Sequence, residues 1–348
     1  MDAKITKIRL SRMLSYDWLK IVGTAAALIL LWVLIFTMTA TPITSAQQFG
    51  VCNYTGNVTF SSDFTKSYTK AYNDKIFSGE VLELGTVDMP GSGNAAGEVL
   101  QARMATEECD VMFVSQANNP STAYTQEVVD SVTGETIKQT LYRYTYLQSF
   151  LSNYRYYLHD LSLDGENSFF KQMENYLNKY YTNGYEDENS LDEEKIEEDF
   201  LARIQRTKDK RYKKQAEIDE GLEEAVDRIK KYRQALVSFY DYLERGVVTL
   251  TKTTYVDEED SRYSFEGIYS INLCPSTDSE ERMSSLSSLV GYYTTYVADE
   301  ETGEEKQTLT AKDMNICLFD LNGEEEEFRY EALLYVVYLI DSCCAEEA

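Results

Sequence analysis

Twenty consecutive residues, Ile21 to Ala40, carry no charge and read IVGTAAALILLWVLIFTMTA. At ~1.5 Å rise per residue, a helix of this length crosses roughly the 30 Å hydrocarbon core of a bilayer. Its polar groups are the hydroxyls of Thr24, Thr37 and Thr39, which can bond back to their own helix. A core helix of a soluble protein rarely runs this long without one charge. A cleaved signal peptide is the stronger alternative, since Thr44-Ser45-Ala46 offers small residues for cleavage. Yet the apolar region of such peptides runs only about 7–15 residues. Lys4, Lys7, Arg9, Arg12 and Lys20 precede or flank the run against only Asp2 and Asp17, and Trp18 stands where an interfacial anchor would. That basic excess predicts a cytoplasmic N-terminus and a single pass, with the rest of the chain outside the cell. The expected division is a cytoplasmic tail at 1–18, a membrane helix at 19–40, a linker at 41–48 and an extracellular domain at 49–348.

Beyond residue 40 the chain holds 28 basic and 57 acidic residues, a balance of −29. Such a surface repels nucleic acid and anionic headgroups and favours cations or neutral solutes. Nucleic acid is therefore excluded as a partner. Lipid, through residues 21–40, is expected as one. Six cysteines scattered over 348 residues do not read as a disulfide scaffold, and no C-x-x-C occurs. Cys109 and Cys317 adjoin apolar runs, where a thiol acts as a small buried hydrophobe.

From Phe49 onward, strand and helix signals alternate with short connections. Apolar runs at 49–54, 79–87 and 110–115 read as strands. Phe64, Tyr68 and Tyr72 (i, i+4, i+8) and Val99, Leu100 and Met104 mark the intervening helices. This order predicts an α/β domain whose first three strands are parallel. A hairpin is expected over 128–141, with Thr133-Gly134 in its turn, and 297–309 echoes it with a second T-G-E and a second K-Q-T-L. Residues 142–185 read as helical and rich in tyrosine. Within 190–245 a helical pair is expected, opened by a Ser190/Glu193 capping box. Ile218, Leu222, Ala225, Ile229, Tyr232, Leu236, Phe239 and Leu243 step by fours and threes along one seam of it. Lys208 to Lys214 (KDKRYKK) then forms a solvated basic turn. Further strands are expected over 247–256, 263–273 and 315–321, and helices over 280–296 and 328–340.

Motifs that carry chemistry are sparse. Gly91, Gly93 and Gly97 have a dinucleotide-like spacing, but they follow the second strand of the unit and read as a loop with its helix start. Asp160 to Glu166 resembles the opening of a calcium loop, but Lys171 at the twelfth position cannot supply the bidentate carboxylate. There is no G-x-S-x-G and only one histidine, His159. The expectation is a protein without catalytic residues, metal or cofactor.

The stretch from Phe49 to Ser115 resembles extracellular solute-binding proteins of bacterial ABC importers. The likeness rests on a strand ending in Tyr54-x-Gly56-Asn57 and on LQARMATEECDVMFVS, where a helix leads into an apolar strand opening with Asp110. The closing YEALLYVVYLI is also similar to that family's C-terminal region. The resemblance implies a two-lobed, periplasmic-binding-protein-like fold with a helical insertion, holding a small solute between its lobes and serving a membrane permease. Carried over by position, the ligand-binding residues would be Tyr54, Asn57, Asp88, Ser92, Asn94, Ser115 and Gln116. The rival expectation is a cell-surface interaction or sensor protein that docks a partner through the helical pair and has no ligand cleft. The topology itself is directly testable: protease added to intact cells should remove the region beyond residue 50, and protection of that region would refute an outside location.

Overall fold

The computed structural model describes residues 7–39, 43, 47–54, 60, 62–79, 81–89, 96–129, 136–257, 260–275, 295–298, 305–308, 314–321 and 326–344. The chain divides into two compact units, Met1–Ile43 and Thr44–Ala348. Among its described residues the first holds one helix, α1 (Lys7–Thr39), within which Trp18–Phe36 is long and apolar enough to cross a membrane. At ~1.5 Å per residue it extends to about 50 Å, more than a hydrocarbon core requires. Thr24 donates its hydroxyl to the Lys20 carbonyl at 2.8 Å, the self-satisfaction expected of a hydroxyl in such a helix.

The second unit is mixed α/β. Its strands and helices run β1 (Gln48–Asn53), α2 (Ser62–Asn73), β2 (Glu83–Asp88), α3 (Ala96–Ala105), β3 (Val111–Ser115), β4 (Ala123–Val129), β5 (Thr136–Tyr142), α4 (Tyr146–Tyr154), α5 (Phe169–Leu177), α6 (Glu193–Thr207), α7 (Gln215–Glu244), β6 (Thr249–Tyr255), β7 (Phe265–Asn272), β8 (Thr295–Ala298), β9 (Glu305–Thr308), β10 (Met314–Leu318) and α8 (Glu331–Leu339). Six strands form one sheet in the order β2-β1-β3-β10-β7-β6. β1 pairs in parallel with both β2 and β3, as the alternation of elements predicts, and the remaining pairings are antiparallel.

Side chains alternate across this sheet with the two-residue period of a strand. Phe49, Val51, Val111, Phe113, Met314, Ile316 and Leu318 enter one core, shared with α2 and α5 to α8. Cys52, Met112, Val114 and Cys317 enter the other, shared with α3 and α4. Because β1 lies between β2 and β3, crossovers of one hand put α2 and α3 on opposite faces, and both cores show this. The central strands are therefore covered on both sides, which explains their unbroken apolar runs.

β1 meets the turn before β3 at backbone distance. A Cβ on Gly50 would lie 2.0 Å from the Glu108 carbonyl oxygen. Gly50 N donates to the Asp110 carboxylate at 2.7 Å, and Asp110 N donates to the Gly50 carbonyl at 2.9 Å. Cys52 and Cys109 form a disulfide beside this contact, where the sequence reading placed Cys109 as a plain buried thiol.

Several expectations need correction. Among the described residues no second α/β lobe accompanies the sheet: α5, α6, α7 and α8 all pack in the core of that one sheet. The helix expected across 142–185 is broken into α4 and α5. Between them the backbone turns to the sheet, where Leu158 bridges Phe319, His159 N donates to the Leu318 carbonyl, and Leu161 N donates to the Ile268 carbonyl. These tertiary bonds act on a segment whose Asp164-Gly165 and Asn167-Ser168 already favour a turn. The N-cap of α6 is Asp192, which accepts from Lys195 N, and not Ser190, whose hydroxyl donates to the Asp187 carbonyl inside a preceding turn. Of the helix expected over 280–296 only the last two residues are described, and they open β8.

The seam of α7 is buried as a heptad pattern requires, but its partner is the sheet-bound core as well as α6: Ala225, Ile229, Tyr232, Leu236 and Phe239 are all buried there. Both hairpins form, β4 with β5 and β8 with β9. The six residues joining each pair, 130–135 with the expected Thr133-Gly134 turn and 299–304, lie outside the described residues. The basic turn pairs internally, Arg211 with Asp209 at 2.7 Å and Lys214 with Glu217 at 3.0 Å.

The close approach at Gly50 makes a sharp prediction. Gly50→Ala must push β1 away from the Glu108 carbonyl, at a cost of about 3 kcal/mol, the upper part of the usual range for overpacking. Chemical denaturation of the full chain checks this, and a loss below about 0.5 kcal/mol would show that the turn yields freely.

Candidate functional site

In an open parallel sheet, ligands meet the carboxyl ends of strands at the point where strand order reverses, here the ends of β1 and β3. The register places Asn53 of β1 opposite Asp88 of β2 and Phe113 of β3, so the strand ends carrying Tyr54, Asp88, Ser115 and Gln116 are neighbours. Asn57, Ser92 and Asn94 lie outside the described residues.

The four described residues do structural jobs at this edge. Tyr54 N donates to the Phe113 carbonyl at 3.0 Å, and its ring packs on Phe150 at 4.8 Å and Tyr154 at 6.4 Å. Burial, with Tyr154 and Tyr146 nearby, pushes its phenol up to about 12. Asp88 accepts from Asn53 Nδ2 at 3.3 Å and from Phe60 N at 3.2 Å, and so ties the loop after β1 to the end of β2. Burial raises its carboxyl above the usual range, and those two hydrogen bonds oppose the rise. Ser115 is buried, and its hydroxyl accepts from Ala117 N at 3.0 Å, a local turn at the strand end. Gln116 is half-buried beside it. α4 thus closes over the end of β1 with aromatic rings, which leaves Tyr54 stacked within the domain.

Sequence reasoning missed a buried polar cluster under the helical layer. Glu331, inside the apolar closing helix, accepts from Tyr232 Oη at 2.9 Å and Ser78 N at 3.1 Å. Burial raises its carboxyl, and the Ser78 and Tyr232 hydrogen bonds and Arg228 oppose the rise. Tyr232 Oη also donates to the Glu327 carbonyl, and the Glu327 carboxylate meets Arg228 at 3.1 Å and Arg203 at 3.4 Å. One polar residue at a core position of each of α7 and α8 was the available signal: Tyr232 in the seam and Glu331 in the apolar run.

Two open grooves adjoin this layer. One of about 390 Å³ is lined by residues of α5, α6 and the 326–327 turn, including Tyr176, Arg203 and Glu327. Another of about 520 Å³ lies between the segment following α2 and the first half of α7. In the calcium-like segment, Asp160 spends its carboxylate on Ser162 N at 2.9 Å, a local turn. No group of three metal-ligating side chains occurs among the described residues.

The chain's one histidine is buried. His159 lies 4.9 Å from the Phe169 ring and 3.8 Å from the Asp320 carboxylate, which Arg329 also approaches at 3.8 Å. Desolvation brings its imidazole down to about 4; Asp320 pulls it up, and Arg329 pushes it further down.

Compared with protein-family models, curated proteins and solved structures, the chain matches none of them.

A pH dependence follows from His159. Its folded value lies below the ordinary 6.5, so the unfolded chain takes up a proton that the folded chain refuses. Stability from this group is present above about 6.5 and is lost as pH falls toward 4. His159→Gln should remove that component, so the wild-type and variant stability curves should diverge below pH 6.5, the wild type falling faster. Parallel curves across that window would contradict a buried neutral imidazole.

Proposed function

We propose that this chain is a membrane-tethered recognition domain of the cell surface, without catalytic activity, that meets its ligand on the helical layer and not between two lobes. The observation that carries this reading is the contrast between the strand ends and the helical layer. Among the described residues, Phe150 and Tyr154 of α4 cover Tyr54 at the end of β1, whereas the two larger open grooves lie against α5, α6 and α7.

Support for the location comes from two independent features. The α1 helix is long enough to anchor the chain, and the basic residues before it favour an outside domain. The Cys52–Cys109 disulfide suits an oxidising compartment. The strong negative charge then selects cationic or neutral ligands by electrostatic attraction. The alternative, a solute held between two lobes and passed to a permease, draws on the likeness of the β1 to β3 region alone.

The experiment compares the two locations. Full-length protein in nanodiscs is screened by thermal shift against sugars, amino acids, peptides and amines, since a ligand that binds only the folded state raises the melting temperature. The shift should vanish in Glu220→Gln/Glu223→Gln and persist in Tyr54→Phe and Asp88→Asn. The reverse pattern would return the binding site to the strand ends.

A further inference from the structure

We propose that β7 and the short turn after α4 carry a second site, an open aromatic platform that binds a neutral oligosaccharide. The site goes beyond the helical-layer reading and is independent of it. Phe265 and Tyr269 of β7 pack on the core shared with α3 and α4, on the other side of the sheet from α5 to α8.

Tyr156 follows α4 directly and is 76 % exposed. What separates it from an ordinary surface tyrosine is the support behind its ring. The Arg155 guanidinium, on a residue only 6 % exposed, lies over the Tyr156 ring at 4.2 Å and over the Phe265 ring at 4.6 Å. Arg155 is itself held, donating to Tyr156 Oη at 2.5 Å and to the Ser152 carbonyl at 3.1 Å. Phe265 stacks on Tyr255 at 5.5 Å, and Tyr255 packs on Tyr144 at 4.7 Å. A buried cation and a column of rings thus hold Tyr156 in place while most of it stays in water.

Tyr269 extends the platform. A Cβ on Gly267 would collide with the Tyr269 ring, so the glycine gives that ring room to lie along its own strand. Burial raises the Tyr269 phenol, Asp160 raises it further, Arg155 lowers it and Tyr156 raises it, which places all three groups near this ring. The Tyr269 hydroxyl has no hydrogen-bond partner among the described residues. Asp160 is exposed, and beyond its bond to Ser162 N its carboxylate keeps room to accept more.

This setting decides the ligand class. A wholly apolar ligand gains little on an open surface, because half of it stays in water. A polyanion is repelled by the balance of −29 beyond residue 40. For a cation, Arg155 already occupies one face of the Tyr156 ring and opposes a second positive charge on the other. A neutral pyranose meets each condition. Its face of C–H groups suits the open face of a tyrosine, and its hydroxyls can stay hydrated or bond to Asp160 and Tyr269.

The test is calorimetric titration of full-length protein in nanodiscs of zwitterionic phosphatidylcholine. The probes are cellohexaose, xylohexaose, mannohexaose and chitohexaose, with hexagalacturonate as an anionic counterpart. At least one neutral probe should bind saturably, and hexagalacturonate should not. Tyr156→Ala should weaken that binding roughly tenfold, the effect of losing one stacked ring, whereas Tyr156→Phe should retain it. Asp160→Asn should weaken it severalfold. Tyr124→Ala removes another exposed tyrosine, one with Arg143 at 5.5 Å from its ring, and should leave affinity unchanged. No saturable binding of any neutral probe, equally tight binding of hexagalacturonate, or equal weakening by Tyr156→Ala and Tyr124→Ala would overturn the assignment. Glu220→Gln/Glu223→Gln, in the wall of the larger groove, should also leave saccharide affinity unchanged. Loss of binding there would move the sugar to the helical layer, striking this platform and leaving the helical-layer reading in place.

Discussion

The backbone contact between β1 and the turn before β3 governs the domain. Gly50 and Asp110 exchange hydrogen bonds at a spacing that admits no side chain at position 50. That contact puts β3 in parallel register beside β1, and the Cys52–Cys109 bond joins the same two segments covalently. With this register fixed, Phe49 and Val51 face the helical core and Cys52 faces the core under α3 and α4. A slip of one residue would exchange the two faces. Asp110 works at the same contact: burial pushes its carboxyl up to about 7, and the Gly50 N–H holds it down. The sheet then continues through β10, which closes against β3 in antiparallel register and brings the C-terminal helix onto the first core.

The helical layer is fixed to this sheet by polar as well as apolar contacts. Tyr68 of α2 donates to the carbonyls of Phe49 and Gly85, across β1 and β2. Glu331 of α8 collects Tyr232 of α7 and the backbone of Ser78. Such buried groups cost desolvation and are tolerated when they are hydrogen-bonded, and in return they define where each helix sits. The larger groove borders this cluster, with Glu331 holding the backbone of Ser78 and Lys231 clipping its edge. Recognition there would rest on the same bonds that fix the layer.

Much of this was legible in the residues. The uncharged run at 21–40, the parallel order of the first three strands, the α6–α7 pair and the β4–β5 hairpin all follow from periodicity, which reports which face a segment buries. What periodicity cannot report is which distant segment a residue meets. Residues 155–168 fall inside a stretch read as helical although Asp164-Gly165 and Asn167-Ser168 are turn formers, and hydrogen bonds to β7 and β10 hold this segment against the sheet. Ser190 loses the cap of α6 to Asp192 for a local reason: its hydroxyl is already engaged by the Asp187 carbonyl three residues earlier. The strand-end residues illustrate the same limit for function. Tyr54, Asp88 and Ser115 are brought together as the fold class implies, yet what surrounds them is set by α4, a helix some ninety residues beyond β1. Even the Cys52–Cys109 pair is visible only once β1 and β3 are known to be neighbours.

Hydrogen exchange on the full-length protein in nanodiscs, with and without a ligand that raises its melting temperature, tests the central claim most directly, since it reports where backbone opening is suppressed by a ligand. The account predicts added protection in residues 72–81 and 220–231 and none at the ends of β1, β2 and β3. Protection concentrated at Tyr54, Asp88 and Ser115 to Ala117, with the α7 segment unchanged, would contradict it.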